Sequence, residues 1–161
     1  MKILRVLLFG LAFVVVALLA VIVGARFADG PIALIPGGQL ESGELVADPA
    51  VDWTFAKDVQ EIEMESDGRS RTVWALVVNG ELYIPASTSF PPFKSWHKRI
   101  AQEPRARVRI EGKRYERALQ RVEDPALLTS LREAALQKYA PPPGTSPEDV
   151  WFFHAAAPRP S

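Results

Sequence analysis

Residues 72–84 read Thr-Val-Trp-Ala-Leu-Val-Val-Asn-Gly-Glu-Leu-Tyr-Ile, and this stretch decides the fold. Two runs rich in β-branched and aromatic residues flank Asn79-Gly80, a dipeptide that accepts the positive φ angles of a type I′ turn. The pattern predicts a β-hairpin. Because the first run, Thr72–Val78, is apolar on both faces, we expect it to be a central strand of a sheet.

The sequence on either side of this hairpin predicts further antiparallel strands. Upstream, residues 53–55 and 59–65 alternate apolar and acidic side chains as a half-buried strand does, and Asp67-Gly68 follows as a turn. Downstream, residues 105–110 alternate strictly between arginine and apolar side chains, and residues 115–122 return as another strand. We therefore expect a second hairpin beside the first.

Two helices are predicted between and after these strands. A short helix is expected over residues 95–102, with Ser95 as its cap. Asp124 as N-cap and Pro125 at the first helical position open a longer helix that runs to about Tyr139. Residues 150–153 form the last strand. The order has no long helical crossover, so the chain is predicted to be mainly β (α+β), a small antiparallel barrel with two helices.

The N-terminal segment is predicted to cross a membrane. Val6–Ala25 is a run of 20 residues without a charged side chain, about the length of a transmembrane helix. Lys2 and Arg5 precede the run and only Arg26 follows closely, so the positive-inside rule keeps the N-terminus in the cytoplasm. The alternative is a cleaved signal peptide ending at residues 23–25, although a signal h-region usually has only about 7–15 apolar residues.

These patterns divide the chain into four parts and place it in a bacterial-type inner membrane. Residues 1–26 are a transmembrane signal-anchor, residues 27–52 an irregular linker, residues 53–155 the barrel domain, and residues 156–161 a tail. The barrel domain is then periplasmic. We expect a single-pass protein of the inner membrane with an extracytoplasmic C-terminal domain.

Composition excludes several kinds of chemistry. The chain has 161 residues with no cysteine, which excludes disulfides, cysteine-ligated metals and thiol nucleophiles. Only His97 and His154 are present, so no metal site is expected. Both histidines are expected to be ordinary residues, with His97 exposed on its charged helix.

The net charge of zero conceals a strong internal gradient. Residues 27–68 contain ten acidic residues and one basic residue, whereas residues 69–121 contain twelve basic and four acidic residues. One interpretation is that the two segments pair within one fold. The other is that the basic segment holds an anion such as a phosphate. The domain as a whole is acidic, so nucleic-acid binding is not expected.

The arginine row of the strand at residues 105–110 has two interpretations as well. Arg105, Arg107 and Arg109 share one face, which is usually a solvated exterior. The alternative is attraction to anionic headgroups of the nearby membrane. Trp96 and Ile100 lie four residues apart on one helix face, which is typical of core residues.

Four short motifs follow one another between residues 53 and 153. They are Arg71-Thr72-Val73-Trp74, Gly80-Glu81-Leu82-Tyr83-Ile84, Lys94-Ser95-Trp96, and Ile100-Ala101-Gln102-Glu103-Pro104 leading into the strand at 105–110. This order resembles the FMN-binding split-barrel superfamily, which includes pyridoxamine-phosphate-oxidase-like and deazaflavin-dependent nitroreductase-like proteins. Two departures stand out: Glu103-Pro104 replaces the usual Asn-Pro, and Pro91-Pro92 interrupts the loop where a phosphate would be held.

The resemblance implies a split β-barrel in which basic and hydroxyl side chains hold the phosphate of FMN or a deazaflavin. Such a phosphate needs positive charge, hydroxyl donors and free backbone N–H groups at a helix start. Trp74, Tyr83 and Trp96 are the expected walls for the ring. By position, the candidate cofactor-binding residues are Arg71, Ser87, Thr88, Ser89, Lys94, Trp96 and Arg99, with Lys98 as an alternative to Arg99.

The expected function follows from the anchor and the resemblance together. The chain is interpreted as a membrane-anchored extracytoplasmic oxidoreductase of the nitroreductase-like type, with FMN or a deazaflavin as its cofactor. The alternative is a non-enzymatic barrel without a cofactor that acts as a ligand-binding or interaction module at the membrane surface. Split barrels of this kind often pair, so a homodimer is expected, and no catalytic residue is assigned.

Overall fold

The computed structural model describes residues 2–89, 95–140 and 146–158. Three α-helices, eight strands and two short 3-10 helices lie within these residues. The helices are α1 (Lys2–Ala25), α2 (Trp96–Ile100) and α3 (Pro125–Lys138), and the 3-10 helices are Trp53–Ala56 and Pro147–Asp149. The strands are β1 (Glu44–Val46), β2 (Glu61–Ser66), β3 (Arg69–Trp74), β4 (Leu76–Val78), β5 (Glu81–Ser87), β6 (Arg105–Ile110), β7 (Lys113–Arg121) and β8 (Val150–Ala156).

Seven of the strands form one antiparallel path in the order β3-β2-β6-β7-β8-β5-β4. Strand β7 pairs with β6 along one edge and with two strands along the other: residues 118–121 pair with β8, and residues 113–115 pair with the short parallel strand β1. The sheet therefore splits where β8 leaves β7 and β1 takes its place. This is an antiparallel split barrel with helices, and the predicted fold class is confirmed.

Strands β3 and β4 lie at the two ends of the path, which corrects the expectation of a central strand. They are nearly continuous in sequence, separated only by Ala75, and β3 also contacts β5. The run at residues 72–78 therefore closes the barrel. It is apolar on both faces because its inner face meets the core and its outer face is covered by other elements, as with Val73 and Trp74 respectively.

The predicted tight turns are confirmed by their backbone angles. Asn79 and Gly80 have φ values of 54° and 78° between β4 and β5, as a type I′ turn requires. Asp67 and Gly68, with φ values of 54° and 64°, make the same kind of connection between β2 and β3. These local signals set the register of both hairpins.

The sequence interpretation was wrong for residues 53–55, which are not part of a strand. They belong to the 3-10 helix Trp53–Ala56, whose N-cap is Asp52. The Asp52 side chain accepts a hydrogen bond from the Thr54 backbone N–H at 3.0 Å, and the Trp53 N–H donates to the Gly80 carbonyl at 2.9 Å. Capping by aspartate favours a helical turn over an extended chain. Trp53 is consequently buried in the barrel core.

Residues 28–46, which we call the strap, lie across the outer face of β2, β6 and β7. Arg109 holds this segment: its guanidinium bonds both Asp29 carboxylate oxygens at 3.0 Å and the Ser42 hydroxyl at 2.8 Å, and also pairs with Glu63. The Leu40 carbonyl accepts hydrogen bonds from two further arginines of the sheet. The predicted linker is thus mostly irregular in backbone but docked on the barrel.

The docked strap decides the open question about the arginine row of β6. Arg109 is 11% exposed and Arg107 is 28% exposed, and Arg107 pairs with Glu65 at 3.2 Å and with Glu116 at 2.7 Å. At these two arginines the acidic and basic segments pair within the fold, as the first interpretation states. A solvated arginine row is wrong for these two residues, and so is an anionic headgroup as their partner.

The end of α3 is locked onto the barrel by two polar side chains. The Lys138 ammonium donates to three carbonyls, those of Lys57, Val59 and Ala75, at 2.7, 2.7 and 2.8 Å. The Tyr139 hydroxyl donates to the Gln60 carbonyl at 2.7 Å and also contacts the Ala75 carbonyl. Helix α3 begins as predicted, with the Asp124 side chain accepting from the Ala126 N–H at 3.0 Å.

Helix α1 is long and apolar enough to cross a bilayer. Residues 3–25 have a mean hydropathy of 3.3 over the best window, and that window is not buried against the rest of the protein. The C-terminal end is the exception, since Ala25 is 1% exposed. The helix thus projects from the barrel and is attached to it at one end.

Candidate ligand-binding site

Arg71 is the best-supported candidate because its environment favours an anion. It lies on β3, on the same face as Val73, and its Cζ is 5.7 Å from the centroid of the Trp96 ring. Its Nη1 donates to the hydroxyl of buried Ser66 at 2.8 Å. Across the described ranges, no carboxylate makes an ion pair or hydrogen bond with Arg71.

Like charges surround this guanidinium. Burial, followed by repulsion from Arg99 and Arg69, lowers the pKa of Arg71 to about 10, and Asp67 opposes the shift only in part. A bound anion would relieve this repulsion and accept the remaining guanidinium donors. The structure therefore brings Arg71, Arg99 and Trp96 together, three residues that lie up to 28 positions apart in the sequence.

A cavity of about 510 Å³ opens at the ends of β2, β6 and α2, and Arg71 and Trp96 are not among its lining residues. Arg99 and Ser66 both line it. The other charged side chains at the cavity largely pair with one another, as Arg105 does with Glu103 at 2.8 Å. Arg99 makes no ion pair within the described residues, so it is available to a ligand. The volume lies within the range of cofactor and ligand sites.

The hydroxyls after β5 have different environments. The Thr88 backbone N–H and side-chain hydroxyl both donate to the Asp149 carbonyl, at 2.7 and 2.9 Å, so this side chain holds the end of β5 against the chain before β8. The Ser87 and Ser89 hydroxyls lie 3.4 Å apart. Lys94 lies outside the described residues. The assignments of these four residues stay predictions.

Helix α2 differs from the expected phosphate-binding helix. It has only five residues, and the Ser95 side chain makes no capping hydrogen bond. His97, expected on the exposed side, is 1% exposed, and its ring packs edge-on against Trp151 with centroids 5.2 Å apart. The burial follows because α2 lies flat on the barrel, where Trp96 also contacts Phe153. Trp96 is thus both a core residue and a wall beside Arg71.

The three aromatic residues predicted to surround a ring do not share one pocket. Trp74 stacks on Tyr139 under α3, with centroids 4.6 Å apart and planes 4° apart. Tyr83 packs against His154 on the outer face of the sheet. Only Trp96 lies at the Arg71 cluster. The alternation of side chains along a strand explains why Trp74 lies away from Arg71. Arg71 and Val73 share one face of β3, so Trp74 faces the opposite side of the sheet.

Two residues of the cluster were missed at the level of sequence. Ser66 and Arg69 pair across the β2–β3 turn, which brings both next to the Arg71 side chain. The signal for them was present in the Asp67-Gly68 turn, because a two-residue turn places its flanking residues directly opposite each other. Reading that register would have added both to the candidates.

Two solved structures are similar to parts of this chain at low sequence identity. No protein-family model matches the chain, and no curated protein matches it. A protein from Listeria innocua, provisionally described as a pyridoxamine 5'-phosphate oxidase, aligns with a TM-score of 0.45 and 14% identity, covering 61% of this chain and 83% of that one. The conserved hypothetical protein Rv2991 from Mycobacterium tuberculosis aligns with a TM-score of 0.49 and 15% identity, covering 72% and 86%. The strand topology of this chain defines it as a split β-barrel.

Proposed function

We propose that this chain is a single-pass membrane protein whose split barrel binds a flavin or deazaflavin through its phosphate, and that it acts as an oxidoreductase of the nitroreductase-like type. The observation that carries the proposal is Arg71, a partly buried guanidinium beside a tryptophan, among like charges, with no carboxylate partner in the described part of the chain. A structural arginine at such a position would ordinarily have an anionic partner.

Each member of the cluster has a distinct role in this proposal. Arg71 binds the phosphate, and Ser66 orients the guanidinium through the hydrogen bond that its hydroxyl accepts. Arg99 adds charge from the cavity wall, and Trp96 provides an apolar surface next to the phosphate. The flavin-type group, when bound, supplies the hydride or electron transfer to a small substrate, and the protein supplies its orientation. Ser87, Ser89 and Lys94 remain further candidates for the phosphate.

The phosphate site is tested by comparing FMN with riboflavin, which has no phosphate. Binding to the full chain in detergent is measured by quenching of flavin fluorescence. Arg71→Gln should weaken FMN binding about 10- to 100-fold, because hydrogen bonds from a charged group contribute roughly 1.5–3 kcal/mol. Riboflavin binding should change little. Arg121→Gln is the control, since Arg121 is an exposed arginine of β7 that lies over the Trp151 ring and does not line the cavity.

Two outcomes contradict this part of the proposal. Equal losses for FMN and riboflavin would show that Arg71 supports the fold rather than the phosphate. A colourless protein that binds neither FMN nor a deazaflavin at tens of micromolar would remove the oxidoreductase. The remaining candidate would then be a barrel that serves as a ligand-binding or interaction module.

The membrane orientation is proposed from the charges that flank α1. Lys2 and Arg5 precede the apolar helix, and Arg26 follows it, which favours a cytoplasmic N-terminus and a periplasmic barrel. A periplasm-dependent reporter fused after Ser161 should be active, and activity of a cytoplasm-dependent reporter at the same position would overturn the orientation. Pairing of two copies is also proposed, and sedimentation of the detergent-solubilised chain tests it.

A further inference from the structure

Large apolar side chains follow the end of α1 and extend into solvent. Phe27 is 87% exposed, Ile32 is 48% exposed and Leu34 is 97% exposed. Between residues 27 and 38, the only charged residue is Asp29, and its carboxylate is ion-paired with Arg109 at 3.0 Å. This segment therefore presents apolar surface without an unpaired charge, which is unusual for a loop in water.

The backbone of this segment is held in place, so the exposure is built into the fold. Ile32 and Ile35 exchange two backbone hydrogen bonds, of 3.0 and 2.9 Å, around a turn in which Ala33 has a φ of 53°. The Thr72 hydroxyl on β3 donates to the Ala33 carbonyl at 3.2 Å. We call residues 32–35 the apolar turn. The hydrogen bond from Thr72 joins the turn to the barrel and leaves Leu34 almost fully exposed.

The apolar turn lies close to the end of the membrane-spanning helix. The Gly38 N–H donates to the Ala28 carbonyl at 3.0 Å, so residues 29–37 form a loop whose two ends meet beside α1. A Cβ on Gly38 would stand 2.5 Å from the Arg26 carbonyl oxygen, which shows how closely the returning chain packs there. Four residues of chain separate Gly38 from Leu34 and span at most about 14 Å.

That reach exceeds the thickness of one headgroup layer, which is about 5–8 Å. The headgroup layers together add about 10–15 Å to a hydrocarbon core of about 30 Å. Apolar side chains near a membrane surface are buried about 5–10 Å into the boundary between headgroups and acyl chains. A loop that starts and ends at the end of a transmembrane helix is therefore within reach of the lipid that surrounds that helix.

We propose that the apolar turn and Phe27 insert into the interface of the bilayer that α1 spans. The inference rests on the membrane anchor of the proposed function, and the partner it assigns is the lipid of the same membrane. Insertion at a second point beside the helix prevents the barrel from rotating freely about its anchor. The strap transmits this constraint to the sheet, because Arg109 ties Asp29 to β6.

The absence of natural cysteine makes a direct test available. Three single-cysteine variants of the full chain, Val15→Cys, Leu34→Cys and Glu123→Cys, are labelled with an environment-sensitive fluorophore and placed in phosphatidylcholine vesicles. Position 15 reports on the span, position 34 on the apolar turn, and position 123 on the exposed connection between β7 and α3. The Leu34 side chain is almost fully exposed, so its replacement leaves the fold unchanged.

The expected result is quenching of the labels at 15 and 34 by nitroxide-bearing lipids, several-fold stronger than at 123, where aqueous iodide quenches instead. Lipid quenching at 15 with iodide quenching at 34 would overturn the insertion and leave the anchor intact. A label at 34 shielded from both quenchers would indicate contact with protein and would also overturn it. Iodide quenching at 15 would remove the anchor and the insertion together.

Discussion

Lys138→Met should destabilise the barrel domain more than any other single lysine substitution that we consider. The ammonium has three donors, and it uses them on three carbonyls at 2.7–2.8 Å that belong to the chain before β2 and to Ala75. Methionine keeps most of the length of the side chain and removes all three donors. The carbonyls of Lys57 and Val59 then lose this donor. The Ala75 carbonyl, at the junction of β3 and β4 where the barrel closes, loses it as well and keeps its contact with the Tyr139 hydroxyl.

The magnitude follows from these contacts. Each buried acceptor left unpaired costs about 1–3 kcal/mol, and these three are partly exposed, which places each near the lower end of that range. Part of the loss is recovered because burial already lowers the pKa of Lys138, which shows that the ammonium is incompletely solvated in the fold. We expect a loss of about 2–4 kcal/mol in the free energy of unfolding, or about 8–16 °C in Tm for a domain of this size.

Tryptophan fluorescence during urea or thermal unfolding of the full chain in detergent measures this change. All four tryptophans lie outside α1, and Trp74 stacks on Tyr139 next to the substituted residue. Lys57→Met is the matched control, because only the backbone carbonyl of Lys57 contacts the ammonium. Lys138→Arg should restore little, since a planar guanidinium cannot direct donors at three converging carbonyls. Equal stability of Lys138→Met and Lys57→Met would refute the reasoning.

Three further changes test other parts of the fold. Burial raises the pKa of Tyr139 to about 12 from 10.0, so the folded state holds this proton more tightly than the unfolded state does. The free energy of unfolding should therefore fall as pH rises through that interval. Tyr139→Phe should lack this alkaline loss in a pH series of urea midpoints. Hydrogen bonds from Ser42 and the backbone, and pairing with Arg109, hold the pKa of Asp29 well below its usual 3.8. The contribution of Asp29 to the free energy of unfolding is therefore present above that pH and lost as pH falls below it. Asp29→Asn should reduce the loss of stability in acid by less than about 1 kcal/mol, because the pair is partly exposed. Gly37→Ala places a Cβ 1.8 Å from a backbone oxygen, whereas Gly10→Ala meets nothing within 4 Å, so limited proteolysis should cleave the strap of the first variant faster than that of the second.

The elements that depend on neighbouring residues were predictable from the sequence. The Asn79-Gly80 turn and the Asp124-Pro125 helix start were both confirmed, because a positive φ angle or a capping side chain acts within a few residues. The alternation of residues 105–110 correctly predicted which side chains face the core. It did not predict what covers the opposite face, since the alternation of side chains carries no information about which segment contacts the three arginines.

The candidate site was likewise predictable only in part from the sequence. The resemblance assigned Arg71 and Arg99, and the structure places them together, but it also shows that Thr88 is used to hold a strand end and that His97 is buried. The residue that orients Arg71 is Ser66, and finding it requires the register of a hairpin. Register is a property of two strands, so a single run of sequence does not contain it.

The sequence by itself determined the long apolar N-terminal helix, the order of the two main hairpins and the helices after them, and a surplus of positive charge in the middle of the chain. It could not show which of Arg71 and Arg109 has an acidic partner, since both are arginines on strands of that basic segment. Only the tertiary structure shows that Arg109 is paired with Asp29, 80 residues away, while no carboxylate of the described chain pairs with Arg71. The physical reason is that an ion pair depends on which surfaces the fold brings within a few ångströms, and local propensities do not encode that distance.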